Sequence, residues 1–282
     1  MTSYSSATSD TRGSGQNRDL PLFLFLTFGI AWILWIPLLV PAIRESLPFG
    51  GVEAVSIGAF APAVGAVAVV RRRGDSVRRW FQRRLRFRAP VRSYLLAFGL
   101  PVAIPVSAGV LYIAMGGNPV SDMPPLFTLP VIFVYAALIG GGQEEIGWRG
   151  VAQPLIGGRY GLFVGGAVVG VIWVLWHLPL LLSSVMLFES INPVVFGFQT
   201  VGVSMLIAWL YEQSGQNLVI AILFHGWRNA TEAFYPADVL ARSLALAVIW
   251  VCVLVLVAVE HHRGRRGDTA RDGTDPAAQT FK

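Results

Sequence analysis

The residues able to do chemistry fall where an apolar chain has little room for them. Gln143-Glu144-Glu145-Ile146-Gly147-Trp148-Arg149-Gly150 sets two adjacent carboxylates and an arginine into an apolar run that begins near Phe127. Neighbouring residues on a helix point about 100° apart, whereas i and i+4 share a face. Glu145 is therefore expected to pair with Arg149, and Glu144 to aim elsewhere with no local counter-charge. A carboxylate in hydrocarbon is costly, so an intramembrane glutamate is a functional candidate by default. Arg149 would neutralise one carboxylate and leave the other for chemistry. The plainer alternative is a capped helix end with both glutamates wetted at the membrane surface.

His177 and His225, the histidines outside the C-terminal segment, also lie in apolar runs. Trp173 precedes His177 by four residues and Asn229 follows His225 by four, so Asn229 could orient His225 or bind the same ligand. Arg228 and Glu232 repeat the neutralising spacing seen at Glu145 and Arg149. Pro179 lacks an N–H and should kink the helix beside His177. A lone histidine in a membrane helix is ordinarily a hydrogen-bonded packing residue. Two histidines, a glutamate and an asparagine each cost insertion free energy unless they meet in a polar cavity. That cavity would hold a water, a metal ion or a proton.

The elements that must position this set are membrane helices. Of 282 residues, 54% are hydrophobic and 13% charged, against about 25% charged in a soluble domain. The fold class expected is an all-α polytopic bundle of about eight helices. Residues 1–19, rich in Ser, Thr and Gly, read as a disordered tail without a cleavable signal. Spans are expected at 20–43, 52–70, 93–115, 127–153, 162–187, 194–211, 217–234 and 239–259, each long and apolar enough to cross or nearly so. A disordered segment, 261–282, follows. The segment 71–92 holds ten arginines and one acid, Asp75, which anchors it in the cytoplasm by the positive-inside rule. Trp80, Phe81, Leu85 and Phe87 interleave with those arginines, as in an amphipathic helix on a membrane surface. Its basic charge sits beside membrane segments, so nucleic acid is not the partner expected. An even span count puts both termini on one side, which the arginine segment and the basic residues after the last span make the cytoplasm. The location expected is the cell (inner) membrane. The single cysteine, Cys252, allows neither an internal disulfide nor a cysteine-based metal site.

Glu144-Glu145-x-x-x-Arg149, Trp173-x-x-x-His177 within Trp-Val-Leu-Trp-His-Leu-Pro, and His225-x-x-x-Asn229 occur in that order on three separate expected spans. Together they resemble the type II CAAX prenyl endopeptidase family, which includes the bacterial CAAX protease and bacteriocin-processing (CPBP, Abi) proteins. The resemblance covers residues 128–235, between N-terminal helices at 20–127 and a last helix at 236–260. The family often has Phe where this chain has Trp173. The resemblance implies an intramembrane endopeptidase open to the cytoplasmic leaflet, acting on a membrane-anchored protein or peptide. Eukaryotic members remove three residues after a prenylated cysteine. It further implies that Glu144 is the general base activating water with help from His177. His225 and Asn229 would stabilise the oxyanion, while Glu145, Arg149 and Trp173 support the site. Such roles suit the chemistry of a desolvated carboxylate and of imidazole and amide donors. Glu144, His177 and His225 also form a plausible Zn²⁺ ligand set with an open position, and the same residues serve metal-free hydrolysis equally well.

Other intramembrane proteases lack their signatures here. There is no His-Glu-x-x-His and no Gly-x-Gly-Asp, and Ser214-Gly215 falls in an expected turn. A proton-coupled transporter using the glutamates and histidines as a relay is the rival from another class, weakened by the lack of an internal repeat. A non-catalytic self-immunity protein of the same fold is the third reading.

Overall fold

A computed structural model of the chain describes residues 18–118, 123–183, 185, 192–235 and 238–271. Most of the tail expected at 1–19, and the end of the one expected at 261–282, lie outside the described residues. Every regular element among the described residues is helical. Among the described residues six helices are long and apolar enough to cross a membrane, and the chain is a multi-pass membrane protein.

Helix α1 (Asp19–Trp35) is followed by the short helices α2 (Pro41–Ser46) and α3 (Val52–Gly58), then α4 (Ala61–Arg72). Buried Asp19 accepts hydrogen bonds from Arg72 at 2.9 Å and Arg73 at 2.8 Å, which fixes the start of α1 beside the end of α4. Helix α5 (Val77–Arg84) carries the basic segment, and α6 (Val91–Ala114) is the next span. Pro105 inside α6 has no N–H for the carbonyl of Pro101. The Thr231 hydroxyl donates to that carbonyl from a neighbouring helix at 3.1 Å, so the proline leaves no orphan acceptor in hydrocarbon.

The apolar run at 127–153, expected as one continuous helix, is broken. Helix α7 (Leu129–Leu138) stops at Gly140-Gly141-Gly142, where Gly141 adopts φ +133°. Glycine loses more backbone entropy in a helix than any other residue, so three in a row favour a break, and glycine adopts that positive φ without strain. A 3-10 turn (Gly142–Glu144), a helical turn (Glu145–Gly147) and a π-turn (Trp148–Ala152) lead into α8 (Gln153–Tyr160). Irregular backbone at membrane depth persists only where protein satisfies it. Here Gln143 donates to the Ile139 carbonyl at 2.6 Å and accepts from the Gly141 amide at 3.1 Å, while Asn229 donates to the Gly140 carbonyl at 2.9 Å.

Helix α9 (Leu162–Trp176) gives way at His177 to α10 (Leu178–Leu181), where Pro179 removes the donor for the Leu175 carbonyl. The expected span to residue 187 is thus shorter, and its distal part, 184 and 186–191, lies outside the described residues. Helices α11 (Pro193–Gln213), α12 (Leu218–Glu232) and α13 (Val239–Arg271) complete the bundle. Two of the eight expected spans, α9 and α12, have only 15 residues each, too few to cross a bilayer upright.

Small residues set the close packing, as in membrane bundles generally. A Cβ on Gly170 of α9 would meet Val201 Cα of α11 at 2.7 Å, and one on Gly226 of α12 would meet Ala137 Cα of α7 at 2.6 Å. The second contact brings His225 and Asn229 against the glycine break. Trp35, Trp148 and Trp176 are fully buried in the joint between α1, α9 and the broken segment, with Trp35 and Trp176 centroids 4.5 Å apart. Buried indole N–H groups need acceptors. Trp35 donates to the Ala54 carbonyl at 3.1 Å and Trp176 to that of Thr27 at 3.1 Å. Phe25, Ile33, Leu95 and Val106 face outward, as lipid-facing side chains do.

Candidate active site

The glycine break aims the two adjacent carboxylates apart, and each meets a different environment. Glu145 is fully buried and bridges two basic groups. One oxygen accepts from Arg149 Nε at 2.8 Å, the expected i+4 pair, and the other meets His225 Nδ1 at 2.9 Å. Arg149, also fully buried, donates in addition to Gln153 at 3.2 Å and Ser204 at 3.0 Å. Ser204 passes the connection on to the Gly166 carbonyl at 2.7 Å. The arginine therefore ties the broken segment to α9 and α11.

Glu144 is 4% exposed, and its hydrogen-bond partners are neutral indoles. Its Oε2 accepts from two indoles, Trp148 Nε1 at 3.2 Å and Trp173 Nε1 at 2.8 Å. Two donors on one oxygen fix the carboxylate plane and leave Oε1 as the oxygen able to accept a proton. Trp173 is the hub of the site. Besides bonding Glu144, its ring centroid lies 5.0 Å from that of His225 and 6.0 Å from that of His177.

His177 Nδ1 lies 2.9 Å from the Trp173 carbonyl of its own helix. A carbonyl only accepts, so Nδ1 carries hydrogen and the neutral ring has its lone pair on Nε2. Packing against Trp176 at 4.8 Å and Phe196 at 5.3 Å holds the ring. His225 is fixed in the same sense, its Nδ1–H donating to the Glu145 carboxylate. Sequence spacing assigned that orienting role to Asn229 as one option; the structure gives it to Glu145. Asn229 instead donates to Gly140 at 2.9 Å and accepts from Arg228 at 3.3 Å. The other face of His225 and the Asn229 amide converge on Gly141, where a Cβ would lie 2.8 Å from His225 Nε2 and 2.6 Å from Asn229 Nδ2. The absent side chain leaves both nitrogens over one backbone position. Arg228 pairs with Glu232 at 2.7 Å as its spacing foretold, and Arg242 joins that glutamate at 3.1 Å.

Among the described residues, no three His, Cys, Asp or Glu side chains lie close enough together to hold a metal ion. Glu145 holds His225 Nδ1, so Nε2 is the nitrogen that could face a metal, and among the described residues Glu144, His177 and His225 are not gathered around a common point as Zn²⁺ ligation requires.

Sequence reasoning passed over Trp148, Gln153, Ser204 and Gly141. Trp148 stands four residues after Glu144 and Gln153 four after Arg149, the spacing that exposed the Glu145–Arg149 pair, so both were open to the same argument. Nothing local marks Ser204.

Comparison with known proteins places this segment beside a family of membrane proteases. Residues 124–231 match the family model described as type II CAAX prenyl endopeptidase Rce1-like. A curated protein named CAAX prenyl protease 2, from Methanococcus maripaludis, is 29% identical over 136 residues, covering 46% of this chain and 48% of that protein. The match thus spans about half the length of the curated relative. The matched region contains all three motif pairs and every side chain bonded to Glu144 and Glu145. The segment 124–231, built around the broken helix and its two glutamates, is thus similar to the type II CAAX prenyl endopeptidases.

Proposed function

We propose that the protein is an intramembrane endopeptidase of the CAAX prenyl protease kind, hydrolysing a peptide bond of a membrane-anchored polypeptide with a glutamate-activated water. The observation that carries this reading is the contrast between neighbours. Glu145 takes Arg149 and His225, whereas Glu144, also buried, takes two neutral indoles and, among the described residues, no cation. A carboxylate so placed keeps its basicity for a bound water, and adjacent carboxylates in unlike environments commonly divide catalytic labour.

In this reading Glu144 Oε1 removes a proton from water as the oxygen attacks the scissile carbonyl. His177, with its lone pair on Nε2, holds the water's second hydrogen. Asn229 Nδ2 spends one hydrogen on Gly140 and keeps the other for the oxyanion. His225 joins it from Nε2 when protonated, its charge resting against Glu145. Glu144 then returns its proton to the leaving amine. No step is routed through a metal, because the side chains do not converge on one. Reconstituted wild type and Glu144→Gln should be compared on tagged membrane-anchored peptides, with and without a prenylated cysteine near the C-terminus. Cleavage by wild type that falls by about 10²–10⁴ in the variant is the expected result. Full activity of Glu144→Gln would refute the assignment, and cleavage of only the unprenylated peptides would refute the CAAX specificity.

A further inference from the structure

The segment between the spans Val52–Arg72 and Val91–Ala114 folds back against the bundle, and its two sides do different things. Its inner side is docked on the catalytic segment. Trp80 of α5 is 5% exposed and lies over the backbone of Gly150, where a Cβ would fall 2.8 Å from the indole ring. Gly150 follows Arg149 in the π-turn, so Trp80 packs on the back of the segment that carries the Glu145 partner. Arg84 lies over the Trp80 ring at 5.5 Å and donates to Tyr211. Further along, Arg86 donates to the Gly215 carbonyl at 2.6 Å, and Asn217 donates to the Arg86 carbonyl at 2.6 Å.

The outer side carries Arg71, Arg78, Arg79, Arg83, Arg88 and Arg92, all exposed, with Phe87 exposed among them. Asp75 is the one acid in 71–92, and Asp19 is already held by Arg72 and Arg73. This is an arginine surface with an interfacial aromatic, fixed at headgroup level by two flanking spans. We propose that it binds anionic phospholipid headgroups of the adjoining leaflet, and that this contact holds Trp80 on Gly150 and so stabilises the catalytic segment. A ligand that binds only the docked form shifts the population toward it. The membrane placement of the segment is all it takes from the function proposed above.

The test uses the full-length protein in vesicles of phosphatidylcholine, with or without added phosphatidylglycerol, and reads thermal melting without substrate. Wild type should melt higher in the anionic vesicles, by a margin that shrinks with salt as charge is screened. Arg71→Gln/Arg78→Gln/Arg79→Gln/Arg83→Gln should lose most of that margin, while the matching Arg→Lys variant keeps it. Titration with phosphatidylglycerol in detergent should show apparent affinity falling roughly fivefold per arginine removed. On a cleaved peptide, kcat/KM of wild type should rise in the anionic vesicles and that of the glutamine variant should not. Equal melting of wild type in both vesicles overturns the proposal. So does a glutamine variant that keeps the full margin, or soluble phosphate that reproduces it at matched charge. Melting needs no peptidase activity, so the proposal survives or fails independently of the catalytic reading.

Discussion

Replacing Glu145 by Gln separates the two carboxylates most sharply. The change keeps side-chain volume but removes the negative charge between Arg149 Nε at 2.8 Å and His225 Nδ1 at 2.9 Å. Arg149 has no exposed surface, and its other partners, Gln153 and Ser204, are neutral. Breaking one side of a buried pair costs about 3–5 kcal/mol. At roughly 2–4 °C per kcal/mol for a chain of this size, melting should fall by roughly 6–20 °C. A second loss is separate from stability. His225 owes its orientation and tautomer to the same carboxylate, and in a serine protease triad the comparable change lowers kcat by about 10⁴. Adding Arg149→Gln removes the stranded charge and should recover part of the melting temperature, but it leaves His225 without its carboxylate and so recovers no activity. Glu144→Gln should show the reverse pattern. Its amide oxygen still accepts from both indoles, so melting stays near wild type while activity falls by about 10²–10⁴. Differential scanning fluorimetry and peptide cleavage on the same preparations supply both numbers. Wild-type melting for Glu145→Gln, or full activity in the double variant, would refute this account of the bridge.

Trp173→Phe keeps a ring between the histidines but deletes the N–H that reaches Glu144 at 2.8 Å. A hydrogen bond to a charged group contributes about 1.5–3 kcal/mol to stability, so melting followed by scanning fluorimetry should fall by roughly 3–12 °C. Gly226→Ala forces a methyl group to within 2.6 Å of Ala137 Cα, so α12 must back away from α7. Overpacking of this kind costs about 1–3 kcal/mol, and it should abolish cleavage by moving His225 and Asn229 off Gly141, as steady-state assays at a permissive temperature can verify. Thr231→Val withdraws the donor from the Pro101 carbonyl. It should lower stability by about 0.6 kcal/mol, as single hydrogen bonds do in membrane bundles, and leave kcat/KM of the folded fraction alone.

The helical class, the membrane setting and several side-chain pairs were legible in the sequence because they depend on local periodicity. Composition and the length of apolar runs determine that the chain enters a membrane, and the repeat of a helix determines that Glu145 meets Arg149 and Arg228 meets Glu232. The same repeat contained the Glu144–Trp148 contact. Span number was less legible, since hydropathy cannot see that Pro179 ends a helix early or that Gly140-Gly141-Gly142 opens one in the middle. The contacts that divide the two glutamates were beyond local reasoning. Trp173 reaches Glu144 from 29 residues away, and His225 reaches Glu145 from 80. Helical spacing says which residues share a face, but not which face of another helix it meets. That is decided where backbones can approach, as at Gly226 on Ala137 and Gly170 on Val201, and those close contacts put Trp173 beside one carboxylate and His225 beside the other.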